Sequence, residues 1–277
     1  MTSPSPLTDR TLVVSGGSRG IGLAIALGAA KLGANCVLLA KTSEPHPKLP
    51  GTVHTAVADV EAAGGKGVAV VGDVRKEEDV QRAVDAAVEH FGGVDIVINN
   101  ASAIATEPTE ELAAKKFDLM MDINVRGTFL LTKAALPHLR KSPNAHVITL
   151  APPMNMNPYW LGAHPTYTLS KYGMTLLSLG WAAEHAESDI GFSCLWPETY
   201  IATAAVANSP GFQEMLARSR NPQIMADAAV AILSRPAAEV NGQCFIDVDA
   251  LAAAGITDLS AYGGGDDPIL DIFVDKS

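Results

Sequence analysis

The stretch VVSGGSRGIGLAIA, residues 13–26, runs from an apolar segment into four glycines, Gly16, Gly17, Gly20 and Gly22, and then into a helix-like sequence. Glycine adopts positive φ at no steric cost and lets another group approach the backbone closely, so this density marks a tight turn. A helix starting near Gly20 would aim free N–H groups and its positive end at whatever sits there, which suits a phosphate. A glycine cluster alone also fits a turn that binds nothing. Its surroundings decide between the two.

Outward from this turn, apolar β-rich runs alternate with helical patterns. Strands are predicted at Leu12–Ser15, Cys36–Ala40, Gly67–Val71, Ile96–Asn99, His146–Ala151, Gly191–Trp196 and Cys244–Val248. Helices are predicted near Ile21–Leu32, Val53–Ala63, Glu77–Phe91, Phe117–Leu139, Thr166–His185 and Pro222–Leu233. The strands lack in/out alternation, as strands covered on both faces should. Repeated strand–helix–strand units imply right-handed crossovers and one doubly wound α/β domain. Its sheet has about seven parallel strands, with helices on both faces. Ligands of such sheets bind beyond the carboxyl ends of the strands, where the strand order switches. The glycine turn lies in the first βα connection, so a dinucleotide site is expected there.

The 277 residues are 48% hydrophobic, enough for one large core, and no linker or repeat divides them. They are expected to form a single domain over 1–277, with residues 1–9 flexible and 263–277 a tail. The net charge of −10 argues against nucleic acid or an anionic membrane as partner. No apolar run approaches the roughly 20 residues that span a bilayer. MTSPSPLTDR lacks the basic start and apolar centre of a secretion signal, so a cytoplasmic protein is expected. Cys36, Cys194 and Cys244 are scattered and read as buried small apolar side chains. The histidines show no ligand spacing, and no metal site is expected.

The glycine spacing G-x-x-x-G-x-G (Gly16, Gly20, Gly22), preceded by Ser15, resembles that of the short-chain dehydrogenase/reductase family. Further matches follow in the family's order over nearly the whole chain. GDVR places Asp73, followed by Val74, where the family's aspartate holds the adenine amino group. NNAS supplies Asn100, Ala101 and Ser102 beside the cofactor, and MDINVRGTF supplies Asn124 at the family's mid-helix asparagine. YTLSK gives the Tyr167 and Lys171 pair. LWPETYIAT resembles the segment near the nicotinamide amide, with Pro197, Ile201 and Thr203. Within the glycine turn the resemblance adds Ser18, Arg19 and Ile21 as cofactor contacts. APPMNMNPYW, KYGM and CLWPET resemble a branch whose longer members carry a sterol-carrier domain after the reductase. The resemblance implies a Rossmann-type fold, a nicotinamide dinucleotide and carbonyl–alcohol interconversion. It also implies a homodimer or homotetramer built partly on the helices at 117–139 and 166–185.

The end of the second strand separates NAD from NADP, because an acid there binds the 2′-hydroxyl and repels a 2′-phosphate. Here CVLLAKTSE puts Ala40 and Lys41 at that place, with Thr42 and Ser43 following and Arg19 in the glycine turn. Two cations can hold a phosphate dianion by charge-assisted hydrogen bonds, so NADP(H) is favoured over NAD(H).

Tyr167 and Lys171 lie four apart on a predicted helix and share a face. A nearby ammonium stabilises a phenolate and lowers its pKa from about 10. In the family the tyrosine protonates the carbonyl oxygen and the lysine also grips the nicotinamide ribose. Asn124 holds a water that links the lysine to solvent. The family's serine after the fifth strand is missing, because HVITLAPPMNMNPYW has Ala151 and Pro152 at that corner. Losing one such donor typically costs about 10²–10³ in rate. Asn155, Asn157 and Thr149 are candidate substitutes that the sequence leaves open.

Loops 103–109, 152–165 and 198–217 should line a substrate pocket, offering Met154, Met156, Tyr159, Trp160, Leu161, Tyr200, Phe212, Met215 and Leu216. Such a lining suits a small-to-bulky apolar carbonyl or alcohol, and equally suits core or interface packing. The tail AYGGGDDPILDIFVDKS either docks on a neighbouring subunit or covers the site. The leading expectation is an NADP(H)-dependent oxidoreductase. The alternatives are a nucleotide-binding protein with little or no catalysis and an epimerase or dehydratase; the latter leaves little room for its larger substrate domain.

Overall fold

The computed structural model describes residues 5–46, 50–203 and 212–275, with residues 212–214 as backbone only. Seven strands, β1 Thr11–Ser15, β2 Asn35–Ala40, β3 Lys66–Val71, β4 Ile96–Asn99, β5 Ala145–Thr149, β6 Ile190–Trp196 and β7 Gln243–Ile246, form one sheet. Its order is β3-β2-β1-β4-β5-β6-β7, with every pairing parallel. The order reverses between β1 and β4, which places the switch point beside the glycine turn.

The continuous apolar strands follow from burial on two faces. All five residues of β1 are buried. Leu12 and Val14 point into one core with Ile25 of α1 (Gly20–Ala30) and Ile224 of a helix at Gln223–Leu233. Val13 points into the opposite core with Val80 and Val84 of α3 (Glu77–Phe91) and Leu131 of a helix at Gly127–Leu139. Each such side chain contributes about 1.5–3 kcal/mol when fully buried. The remaining long helix on this side, Pro165–Glu184, adds Trp181 to the second core. Two shorter helices cover the first face, α2 at Val53–Ala62 and one at Asp247–Ala253. α2 begins at a capping box in which Thr52 and Thr55 satisfy each other's backbone N–H groups.

Several boundaries differ from expectation. The helix expected at 117–139 is three pieces: α4 Ala114–Met120, a π-helical turn Met121–Arg126, and α5 Gly127–Leu139. Two short helices, α6 Pro158–Ala163 and α8 Phe212–Ala217, lie before and after α7 Pro165–Glu184 in the chain. Beyond them come α9 Gln223–Leu233, α10 Ala237–Val240 and α11 Asp247–Ala253. β5 stops at Thr149 rather than Ala151. β7 stops at Ile246 because Asp247 opens α11, accepting the N–H groups of Glu198 and Val248, each at 2.8 Å. Within the segment expected to be flexible, residues 5–9 form a turn that buries Leu7 completely. Residues 1–4 lie outside the described residues.

The tail returns across the carboxyl ends of the strands. Thr199 bridges Leu270, Tyr200 N–H donates to the Ile269 carbonyl at 2.9 Å, and Asp271 N–H donates to the Glu198 carbonyl at 2.9 Å. Trp196 Nε1 donates to the Ile272 carbonyl at 3.0 Å. Of the two placements considered for the tail, this is the one that covers the site.

Candidate active site

β1 ends at Ser15, whose hydroxyl accepts the N–H groups of Asn100 and Ala101 at 3.0 and 3.1 Å. Asn100 returns its side-chain amide to the carbonyls of Ser15 and Gly16 at 3.0 and 3.1 Å. This lock between the ends of β1 and β4 explains two of the glycines. Gly16 has φ +69°, and a Cβ on Gly22 would stand 2.5 Å from Asn100 Nδ2 and 2.7 Å from the Gly16 carbonyl. Ser15 and Gly22 therefore shape the turn from behind and do not line the cleft in front of it.

That cleft, about 520 Å³, lies at the switch point and has the size of a small-molecule site. Gly16, Ser18, Gly20 and Ile21 line one end beside the start of α1, which carries no side-chain cap. Its first N–H groups thus keep their capacity for an anion. Arg19 lines the same end, donating Nη2 to the Gly51 carbonyl at 2.9 Å, while its buried Nε has no partner. An uncapped helix start and an orphaned guanidinium nitrogen fit the phosphates of a dinucleotide.

Ala40, Lys41, Thr42, Asp73 and Val74 form the adjoining wall. Asp73 is held by Arg75, which the sequence reading did not single out, through Nε at 3.0 Å to both carboxylate oxygens and Nη2 at 2.6 Å. Lys41 Nζ stands 3.6 Å away. The Arg75 hydrogen bonds, with the Lys41 charge behind them, pull the Asp73 carboxyl down to about 2. Asn100, Ala101 and Ser102 continue the wall towards Pro197 and Ile201 at the far end, while Thr203 stands at the glycine end, its Cγ2 3.6 Å from where a Cβ on Gly20 would be.

Tyr167 and Lys171 reach that far end from the first turns of α7, which starts at Pro165 as a residue with preset φ can. They are 5% and 3% exposed. Lys171 Nζ donates to the Leu150 carbonyl at 2.8 Å and lies 5.1 Å from the centroid of the Trp196 ring. Burial draws its pKa down to about 8. Burial pushes the Tyr167 phenol up from its ordinary value, and the charges of Asp271 and Tyr200 push it further.

Asn124 is fully buried in the π-helical turn and does not line the cleft. Its amide donates to the Ala103 carbonyl and to Ser170 Oγ, each at 2.9 Å, and its oxygen accepts Ala103 N–H at 2.7 Å. The side chain is thereby committed to positioning the strand-end loop against α7.

The three substitutes for the missing serine are also committed elsewhere. Thr149 Oγ1 accepts from Ser178 Oγ at 2.8 Å, away from the cleft. Asn155 Nδ2 donates to the Phe273 carbonyl at 3.0 Å and to Asp275 at 2.9 Å, while Asn157 Nδ2 reaches Asp275 at 3.4 Å. The tail intrudes between loop 152–165 and the cleft. The Phe273 ring stands 5.3 Å from Tyr172, 6.0 Å from Trp196, 6.2 Å from Trp160 and 6.3 Å from Tyr167, centroid to centroid. Among the described residues only Tyr200 of the expected apolar lining faces the cleft. Met154, Met156 and Tyr159 are exposed, and the Phe212 side chain lies outside the description. Asp271 and Ile272 take their place. The available signal was the segment DIFVD itself, an aromatic set among acids after a glycine run.

The described residues contain no group of acids, histidines and cysteines arranged to hold a metal. None of their helices is long and apolar enough to cross a membrane. Cys36 and Cys194 are buried as expected and Cys244 is half-buried; Cys194 and Cys244 stand side by side on β6 and β7, and all three cysteines are free.

A doubly wound sheet with an uncapped, glycine-lined first turn and a buried Tyr/Lys pair across one cleft defines a nucleotide-binding oxidoreductase architecture. The chain belongs to the short chain dehydrogenase family, which matches residues 10–212. It is 49% identical over 273 residues to hydroxysteroid dehydrogenase-like protein 2 of Xenopus tropicalis, covering 98% of this chain and 65% of that protein. The chain thus spans about two-thirds of the length of that relative. A crystal structure of a Xanthomonas campestris protein superposes with a TM-score of 0.94 at 50% identity, covering 98% of this chain and 99% of the other. L-Sorbose reductase from Gluconobacter frateurii, solved with NADPH and L-sorbose, superposes with a TM-score of 0.76 at 26% identity, covering 88% and 96%.

Proposed function

We propose that the protein is a cytoplasmic NADP(H)-dependent oxidoreductase that interconverts a carbonyl and an alcohol on a small-to-bulky apolar substrate. The observation that carries this reading is that Tyr167 and Lys171 line the same cleft as the uncapped glycine turn. The glycine turn and the start of α1 would hold the pyrophosphate, Asp73 and Val74 the adenine, and Lys171 the nicotinamide ribose. The bound dinucleotide supplies a hydride to the carbonyl carbon. Tyr167 donates its phenolic proton to the carbonyl oxygen, and burial keeps that proton in place at neutral pH, which suits reduction. Arg19 and Lys41 beside Ala40 support NADP(H), as does the NADPH in the sorbose reductase. The Xenopus relative's name and the apolar walls Ile104, Leu150 and Trp196 support a bulky neutral substrate. Three free cysteines suit a reducing compartment.

Residues 1–277 are read as one reductase domain. Phe129 on α5 and Leu169 and Leu176 on α7 are 42%, 52% and 58% exposed, which supports a homodimer or homotetramer through these helices.

The apolar corner at Ala151 favours a second reading, a dinucleotide-binding protein with little catalysis. Following NADPH absorbance against benzaldehyde, acetophenone, cyclohexanone, 2-decanone and a 3-ketosteroid separates the two. Turnover that falls by about 10²–10⁴ in Tyr167→Phe supports the oxidoreductase. Equal rates in both proteins overturn Tyr167 as proton donor. Tight NADPH binding with no turnover selects the second reading.

A further inference from the structure

We infer that Asp271, carried into the cleft by the C-terminal tail, is the second hydrogen-bond donor to the reacting oxygen, doing there what the family's missing serine would do. The inference rests on the oxidoreductase reading above and adds a residue to its site.

Four observations carry it. First, the serine corner is closed to polar contact: Leu150 lines the cleft, Ala151 is fully buried, and Thr149, Asn155 and Asn157 spend their groups elsewhere. Second, Asp271 lines the cleft together with Tyr167, Lys171 and Tyr200, and its charge acts on all three. Third, one Asp271 oxygen accepts Ile272 N–H at 2.7 Å, and neither oxygen has a side-chain partner among the described residues, so the carboxyl keeps a free oxygen for a ligand. Fourth, its position is over-determined. The Asp271 N–H is bonded to the Glu198 carbonyl, Trp196 holds the Ile272 carbonyl, and Phe273 is locked at φ +76°. Backbone strain of that kind costs about 1–3 kcal/mol and persists only where surroundings enforce it, typically at functional sites.

A donor at this place must be protonated. The groups that act on Asp271 are Lys171 and Tyr167 of α7, Asp247 of α11 and Tyr200 after β6. Burial raises its pKa to about 8, with the Asp247 charge adding to the rise and the Ile272 N–H and Lys171 opposing it. Protonated, the carboxyl has a hydrogen to donate from the oxygen that Ile272 N–H leaves free. During reduction the hydride goes to the carbonyl carbon and the Tyr167 proton to its oxygen. Asp271 lends a hydrogen bond and retains its own proton.

Two measurements test this. Difference infrared spectroscopy of wild type against Asp271→Asn, without substrate, should show a protonated carboxyl band that fades as pH rises through about 8. A carboxylate already ionised at pH 6 overturns the assignment. In the same carbonyl panel, Asp271→Ala should lower kcat by about 10²–10³ with little change in KM, while Asp271→Asn, a neutral donor of the same shape, restores most of the rate. Fluorescence titration of NADPH and thermal melts of both variants check that the cofactor site and fold persist. Wild-type turnover unchanged in Asp271→Ala, or lost equally in Asn and Ala, overturns this assignment alone. No turnover by wild type of any compound overturns the oxidoreductase reading, and Asp271's role with it.

Discussion

Tyr167 sits beneath Phe273 with 5% of its surface exposed, while Lys171 turns its ammonium to the Leu150 carbonyl. The Y-x-x-x-K spacing told where these groups would stand, and burial decides their acidity in the ligand-free site. The same rule governs His146, whose ring is completely buried in β5 and whose pKa falls to about 3, chiefly from desolvation and then from the Arg10 charge. The sign is fixed by linkage: the unfolded state binds a proton below about 6.5 and the folded state does not until about 3. Stability is thus complete above pH 6.5 and lost as pH falls towards 3. One pKa unit is worth about 1.4 kcal/mol, so roughly 2 kcal/mol should disappear between pH 6.5 and 5. Urea denaturation of wild type and His146→Leu at both pH values measures this. The variant should show a fall smaller by that amount, and an equal fall in both proteins removes His146 from the account.

At the scale of elements, the strands and the glycine turn were legible because their signals are local. β1 and β2 are apolar throughout since both faces are covered, and Gly16 must turn within a few residues of Ser15. The tail was not legible, because its meaning lies in contacts with residues far away in sequence: Trp160, Tyr167, Tyr172 and Trp196 around Phe273. The π-helical turn escaped for a related reason, since one extra residue per turn leaves the apolar pattern of MDINVRGTF nearly intact while turning Asn124 towards Ala103 and Ser170. The tail's packing is testable as an element. Phe273→Ala should cost about 3 kcal/mol in denaturant unfolding, because the ring is 4% exposed and truncation leaves a cavity among four aromatic side chains. It should also let water reach Tyr167, so that ultraviolet titration of the phenol moves down towards the ordinary tyrosine value. Unchanged stability and titration would mean that the tail merely rests on the site.

Across the whole molecule the net charge is −10, which by itself repels an anionic dinucleotide. The cleft answers this locally: Arg19 and Lys41 line it, and Lys41 and Arg75 flank the Asp73 carboxylate. Lys41 is 61% exposed, and its pair with Asp73 at 3.6 Å is too open to hold it there. It remains available to a 2′-phosphate, while Arg75 satisfies Asp73. Two charge-assisted contacts, discounted for solvent, are worth about 3 kcal/mol together, which is about 10²-fold in affinity. If these cations hold a 2′-phosphate as proposed, the double variant Arg19→Ala, Lys41→Ala should weaken NADPH binding by about 10²-fold while NADH, which lacks that group, changes by only a few-fold. Because exposed charges are screened within about 10 Å at 0.1 M salt, raising ionic strength should narrow the wild-type gap between NADPH and NADH and leave the double variant's gap unchanged. Fluorescence titration of both cofactors across a salt series measures all four affinities. Equal losses for the two cofactors would place these cations on the shared pyrophosphate and leave the 2′-phosphate without a recognised partner.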